Sequence, residues 1–410
     1  MRVTFVSPVG VLGGGEKVLL AALRALPAAL PGFAPTVVLL ADGPLAAAVT
    51  ALGARAIVCP LPDRLAGVGD TQLRAGGRLK RVVRLGSTLA SAGPGLAAFL
   101  ARLRRVLAAA RPQLIHSNGL KSHLLLALAR PAGVPVTWHL HDTVGERPVA
   151  RRLLPLAARR GVRGAVAVSE FVRQDALGVL PRLPVTTVHN AVDTHHFAPG
   201  DGGGPALDRL AGLSPAETGV VRVGLVATYA DWKGHAVFLR ALAGCPGVRG
   251  FVVGGPIYRT AGSQVTRGEL VSLAAALGVA GRVGFVPFQP DPVGVYPALD
   301  IVVHASTRPE PFGLTIAEAM SCGRPVVVAA AGGAAELVTP GVDALTHTPS
   351  DAVGLAAAIN LLAGDAGLCA RLGAAARATA VARFGLARFG AELAGVFRDA
   401  VTEHGAKAHR

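Results

Sequence analysis

The sequence predicts an α/β protein made of two doubly wound, Rossmann-like domains. Three observations lead there. The chain has 410 residues, more than one ordinary core serves, so two domains are expected. Short Val- and Ile-rich runs alternate with Ala- and Leu-rich stretches at helical spacing, the pattern of a parallel sheet wound by helices. Finally, Pro199-Gly200-Asp201-Gly202-Gly203-Gly204-Pro205 separates two such series and is the clearest linker in the chain. The expected organisation is a first domain over 1–198, a linker over 199–205 and a second domain over 206–365. An Ala-rich tail over 366–410 is expected to be helical and to pack back on the first domain.

The first strand is Arg2–Ser7, ending in a Pro-Val-Gly turn and Gly13-Gly14-Gly15. A helix follows from Glu16 to about Leu26, with Val18, Leu19, Ala22, Leu23 and Leu26 on one face. Val37–Leu40, Ala56–Val58, Leu114–His116, Val134–His141, Gly164–Ser169 and Val185–Asn190 read as further buried strands. Between about 62 and 100 the pattern weakens into basic helix and loop. The second series comprises Val221–Ala227, Gly250–Val253, Arg282–Phe285, Ile301–His304 and Pro325–Ala329, with helices between them. In doubly wound domains ligands sit at the C-terminal ends of the strands, here in a cleft between two facing domains.

Bulk properties exclude several classes. Apolar residues make up 51% of the chain without a long polar tract, which indicates a globular protein. No run of about 18 apolar residues lacks a charge, Gly or Pro; the best stretch, 86–101, is broken by Gly93, Pro94 and Gly95. The N-terminal strand runs directly into Gly-rich sequence, unlike a signal peptide, so a cytoplasmic protein is expected. The four cysteines, Cys59, Cys245, Cys322 and Cys369, form no C-x-x-C pair and read as buried thiols. Net charge is +16, and its distribution matters more than its size. Arg64 to Arg111 holds ten Lys or Arg against Asp70 alone, and Arg147 to Arg163 holds six cations and no acid. Such clusters suit an anionic membrane surface or a phosphorylated substrate, or else form a solvated helix face. Aromatics are only 4%, and no helix-turn-helix or zinc pattern accompanies the charge, so no nucleic-acid partner is expected.

The most specific signal lies at 310–318, Glu-Pro-Phe-Gly-Leu-Thr-Ile-Ala-Glu. Two carboxylates, Glu310 and Glu318, flank a Pro-Phe-Gly turn that opens a helix. A helix start offers free N–H groups and a positive dipole end to a phosphate. The pattern resembles the E-x7-E signature of family 4 retaining glycosyltransferases, which have the GT-B fold. The flanking Ile301–Val303 strand, the Ala-Glu-Ala-Met-Ser-Cys-Gly-Arg-Pro segment and Gly332-Gly333-Ala-Ala-Glu336 extend the likeness. The resemblance implies that Glu310 holds hydroxyls of a donor sugar and Glu318 the ribose. Phe312, Gly313 and Leu314 would then present N–H groups to the diphosphate.

Other stations match more loosely. Gly13-Gly14-Gly15-Glu16-Lys17 is neither a Walker loop nor a G-x-G-x-x-G fingerprint. In the family, Gly14 and Gly15 would lie under the donor diphosphate or near the acceptor. Trp232-Lys233-Gly234 follows the first strand of the second domain, where the family places a phosphate-binding base. Only five lysines occur in the chain, which singles Lys233 out. The family often has Gly-Arg just upstream, whereas Ala227-Thr228-Tyr229 stands here. Trp138-His139-Leu140-His141-Asp142 ends a first-domain strand, with His139 and His141 on one face. A third metal ligand is not evident, so no metal site is expected. By resemblance His141 is the histidine near the reacting sugar, with His139 the runner-up. His116-Ser117-Asn118-Gly119 lines the acceptor side through Asn118. Ser169-Glu170 and Asn190-Ala-Val-Asp193 also match, as structural stations.

The resemblance implies transfer of a sugar from a UDP- or GDP-sugar to an acceptor hydroxyl, with retention and without a metal or other cofactor. His141, Lys233 and Glu310 would carry the chemistry. Cell-envelope glycan synthesis, with a lipid-linked acceptor and a peripheral position at the inner face of the membrane, is the expectation from charge and family habit. Two alternatives stay open at this point: a GT-B nucleotide-sugar 2-epimerase, and a non-catalytic relative that binds a nucleotide sugar or glycan.

Overall fold

The structure, a computed structural model, describes residues 1–62, 95–200, 202–256 and 264–408. Residues 64–94 of the first basic stretch, and with them much of the 86–101 apolar run, lie outside the described residues. The chain forms two compact units, Met1–His189 with Ala387–Arg410, and Asn190–Leu386.

In the first unit β1 (Arg2–Ser7), β2 (Ala34–Leu39), β3 (Arg55–Val58), β4 (Leu114–Ser117), β5 (Val136–Leu140), β6 (Val162–Ala167) and β7 (Val185–Thr187) form one sheet in the order β3-β2-β1-β4-β5-β6-β7. All its pairings are parallel. Every residue of β4 and β5 is buried, the polar His116, Ser117, Thr137 and His139 included, as in parallel strands covered on both faces. Winding reverses direction between β1 and β4, and this switch point opens a crevice at the strands' C-terminal ends. The loops that leave β1, β4 and β5 there carry Gly13–Gly15, Asn118 and His141.

In the second unit β8 (Val221–Val226), β9 (Val248–Val253), β10 (Val283–Val286), β11 (Ile301–His304), β12 (Val326–Ala329) and β13 (Leu345–His347) form a parallel sheet in the order β10-β9-β8-β11-β12-β13. Its switch point lies between β8 and β11, whose following loops carry Lys233 and Glu310. Phe238, Val252, Ile301, Val327 and Ile359 pack the core on one side of this sheet.

The units divide at 189/190 and 386/387 instead of at the Gly-rich 199–205 segment. Residues 190–198 are bound into the second unit. Val192 donates to Phe384 O at 2.9 Å, and Arg377 Nη1 donates to Thr194 O and Phe197 O at 2.9 and 3.1 Å. Gly204 opens a short helix, Gly204–Leu210. The tail is likewise two helices and not one. Ala366–Phe384 packs on the helix Leu314–Ser321 within the second unit. Extended backbone at Gly385 then pairs with Val192 and breaks the helix. Leu386–Ala408 packs on the first unit, where Phe397 is fully buried beside Phe5 and His116.

Candidate functional site

In the second unit the loops after β8 and β11 are locked together by backbone. Thr307 N–H donates to Trp232 O at 2.8 Å. Gly234, at φ +74°, runs so close to β11 that a Cβ there would lie 1.8 Å from Ala305 O. Glycine is required for both reasons, its positive φ and the missing side chain. This contact brings Lys233 to Glu310. The Lys233 ammonium donates to Glu310 Oε1 and lies 4.1 Å from the Trp232 ring centroid. The other carboxylate oxygen takes His304 Nε2 at 2.6 Å and Ser306 Oγ at 2.7 Å. Burial alone would raise the Glu310 pKa, but the Lys233 and His304 charges and hydrogen bonds outweigh it and hold the group well below the usual carboxylate range.

Glu310 is also fixed through its backbone. Gly333 N–H donates to Glu310 O at 2.7 Å, and a Cβ on Gly332 would meet the same oxygen at 2.7 Å. This explains physically why a glycine at 332 accompanies the carboxylate. The turn then passes Gly313 at φ +105° into the helix Leu314–Ser321, whose N-terminus has no side-chain cap. Its first N–H groups are therefore available to an anion. Glu318, one turn in, is 3% exposed and accepts from the Tyr296 hydroxyl at 2.5 Å. Neither acid is turned to bulk solvent. Thr228, standing where the family often has an arginine, has its Oγ1 buried without a partner.

In the first unit Gly15 lies against His141, since a Cβ there would meet the imidazole at 3.3 Å. His141 Nε2 bonds Asn118 Oδ1 at 2.8 Å, and Asn118 Nδ2 donates to Gly15 O at 3.2 Å. His139 stacks on His141 with centroids 4.2 Å apart and bonds His116 at 3.2 Å, while His116 bonds Thr137 at 2.9 Å. Burial lowers all these histidines, His141 to about 4 and His116 to about 3, so the cluster is neutral at pH 7. A cavity of about 170 Å³ opens here, lined by His123, His139, His141, Thr143 and Arg147 among others. His139 Nε2, on a lining residue, is buried without a hydrogen-bond partner. Asp142, at the same rim, pairs with Arg147. Beside the glycine loop, burial pushes the Glu16 carboxyl up to about 7 against backbone hydrogen bonds at Glu16 and Gly13. Among the described residues no three His, Cys, Asp or Glu side chains are grouped to hold a metal ion.

The structure thus gathers the candidate residues into two constellations: Lys233, Glu310 and the 312–314 turn with Glu318 behind it, and Gly14, Gly15, Asn118, His139 and His141. Sequence reasoning missed His304, Ser306, Tyr296 and His123. His304 and Ser306 had one available signal, since both stand within six residues of Glu310 at the end of a buried strand.

Two family models cover most of the chain, Glycosyltransferase Family 4 over residues 12–196 and Glycosyl transferases group 1 over residues 216–379. A solved structure of HepE from Anabaena, in complex with UDP and glucose, superposes with a TM-score of 0.79 at 27% identity, covering 97% of this chain and 99% of HepE. The chain belongs to the family 4, group 1 glycosyltransferases. Its two Rossmann-like domains are those of the GT-B fold. A curated family relative, the D-inositol 3-phosphate glycosyltransferase of Mycobacterium sp. (strain JLS), is 43% identical over 162 residues, 38% of this chain. The match spans about a third of that relative's length, 34%. The lipopolysaccharide-biosynthesis glycosyltransferase WaaG shares the fold at 14% identity, with a TM-score of 0.68 over 96% of this chain and 99% of WaaG.

Proposed function

We propose that this chain transfers a sugar from a nucleoside diphosphate sugar to an acceptor hydroxyl, with retention at the anomeric carbon. The observation that carries the reading is the buried Lys233–Glu310 pair beside the uncapped helix start at Gly313–Leu314. Such a site offers an ammonium and N–H groups to a diphosphate and a fixed carboxylate to sugar hydroxyls. HepE, solved with UDP-glucose, makes a UDP-sugar the first donor to try. In the resting site Lys233 is spent on Glu310. A bound diphosphate would draw the ammonium to itself and free Glu310 Oε1 for the sugar, while His304 and Ser306 keep Oε2 in place.

Bond changes follow a front-face course. The bond from the anomeric carbon to phosphate oxygen breaks as the acceptor oxygen bonds the same face of that carbon. The acceptor proton passes to the departing phosphate oxygen. Charge developing on the diphosphate is met by Lys233 and the 312–314 backbone, so this scheme needs no metal step. Preorganised donors of this kind are worth about 3–4 kcal/mol each. The first unit's cavity, with neutral His139 and His141 able to donate or accept, is suited to acceptor hydroxyls.

The test is incubation with UDP-, GDP- and ADP-sugars and an acceptor panel. Products are followed by mass and the new linkage by the proton coupling at the anomeric carbon. Release of nucleoside diphosphate with a retained linkage supports the reading. An epimerised free sugar formed from donor alone, or an inverted linkage, contradicts it.

A further inference from the structure

The second cationic run found in the sequence is described in full. It forms the helix Pro148–Ala158 and the turn at 159–161, and ends at Arg163 in β6. One face of this helix belongs to the protein: Ala150, Leu154 and Ala157 are buried, Leu154 completely. The other face does not. Arg151, Arg152, Arg159 and Arg160 are exposed, and between them Leu153 and Leu156 remain 43% and 57% exposed. At helical spacing Arg152, Leu156 and Arg159 share one stripe, flanked by Leu153 and Arg160. The neighbouring helix Leu120–Ala129, packed alongside, adds Leu128 at 54% exposure. From 147 to 163 there is no acid, and no Ser, Thr, Asn, Gln or aromatic residue.

We infer that this face docks on an anionic bilayer surface, the arginines meeting lipid phosphates and Leu153, Leu156 and Leu128 entering the acyl boundary. The chemistry selects that occupant. A nucleic-acid groove calls for stacking aromatics or hydrogen-bonding side chains, which are absent here, and gains nothing from exposed leucines. A bilayer interface rewards both parts of the pattern, since arginines hold their guanidinium groups at the headgroups while apolar neighbours bury. Among the described residues no single helix is long and apolar enough to cross a membrane, so the contact lies in the interface plane. The helix leaves directly from cavity-lining Arg147. If the cavity takes the acceptor as proposed, a lipid-borne acceptor is presented beside it; docking itself does not depend on that reading.

The test is flotation of the full chain with vesicles of phosphatidylcholine alone or mixed with phosphatidylglycerol, at low and high salt. The wild type is expected to float only with the anionic vesicles and to be released by salt. Arg151→Gln with Arg152→Gln should weaken binding about 30-fold, at about 1 kcal/mol per basic residue. Leu153→Ser with Leu156→Ser should also lower it, at unchanged charge. Arg209→Gln with Arg240→Gln, equal in charge loss but on the second unit, should leave it intact. Thermal melts and UDP-sugar binding check that each variant is folded. The inference is overturned if the wild type does not float, or if the helix variants float like the wild type. It is also overturned if the leucines instead mediate concentration-dependent dimers in ultracentrifugation. Failure here with UDP-sugar binding intact leaves the transfer reading standing.

Discussion

Replacing Lys233 by Met removes the ammonium and keeps most of the side chain's apolar length. Breaking a buried ion pair from one side typically costs about 3–5 kcal/mol, because the remaining charge loses its partner. Here Glu310 retains His304 Nε2 and Ser306 Oγ on its other oxygen, so the cost should fall below that range, at about 1–3 kcal/mol. The cation–π contact with Trp232 accounts for about 0.5–1 kcal/mol of it. For a domain of about 200 residues this lowers the melting temperature by about 2–12 °C. Transfer should suffer more than folding, since the site loses its strongest donor to the leaving diphosphate: about 10²–10³-fold in kcat/KM. The assay pairs calorimetric melting with steady-state transfer kinetics. A variant as active as the wild type refutes the role given to Lys233. A variant that fails to fold refutes the claim that His304 and Ser306 can hold Glu310 without it.

Three further outcomes follow from the same geometry. His304→Leu should release Glu310 toward its ordinary pKa. Stability and activity carried by that carboxylate, present above its unfolded pKa and lost on acidification, should then fail at higher pH, visible as an upward move of the acidic limb of kcat/KM. Lys233, His304 and, behind His304, His347 are the charged or ionisable side chains packed there. Gly234→Ala should cost several kcal/mol, on the order of 3, because positive φ and the 1.8 Å approach to Ala305 O both forbid a Cβ; circular dichroism melts check this. Acid should weaken the first unit early. The folded pKa values of His116 and His141 lie near 3 and 4, below the ordinary 6.5, so the unfolded chain takes up protons first. Stability falls from about pH 6.5 down to those values, by about 1.4 kcal/mol per pH unit per histidine. In calorimetry at pH 7 and pH 5, the transition not raised by UDP-sugar should shift down first.

Much of this was legible in the sequence because it rests on local pattern. Short buried strands between Ala/Leu helices mark both sheets, and the E-x7-E bend with its glycines singles out Glu310 and Glu318, which the structure holds buried on either side of the helix start. What stayed hidden depends on contacts distant in sequence. Lys233 and Glu310 are joined only because β8 and β11 are neighbours in the sheet, and Tyr296 meets Glu318 across 22 positions. The linker misled for a physical reason: glycine density reports conformational freedom, whereas the units divide where packing changes sides. Residues 190–198 precede the glycine-rich segment in the sequence, yet Arg377 ties them to the second unit from 180 or more positions away. Gly385 shows the converse, a single glycine in an Ala-rich tail that marks the true crossing.

The most direct test of the central claim is a crystal structure of the chain with whichever nucleoside diphosphate sugar binds best. The account predicts the diphosphate at the 312–314 helix start, Lys233 turned from Glu310 to a phosphate oxygen, and sugar hydroxyls on the freed Glu310 oxygen. A nucleotide sugar bound elsewhere, or bound with the Lys233–Glu310 pair unbroken, would contradict it.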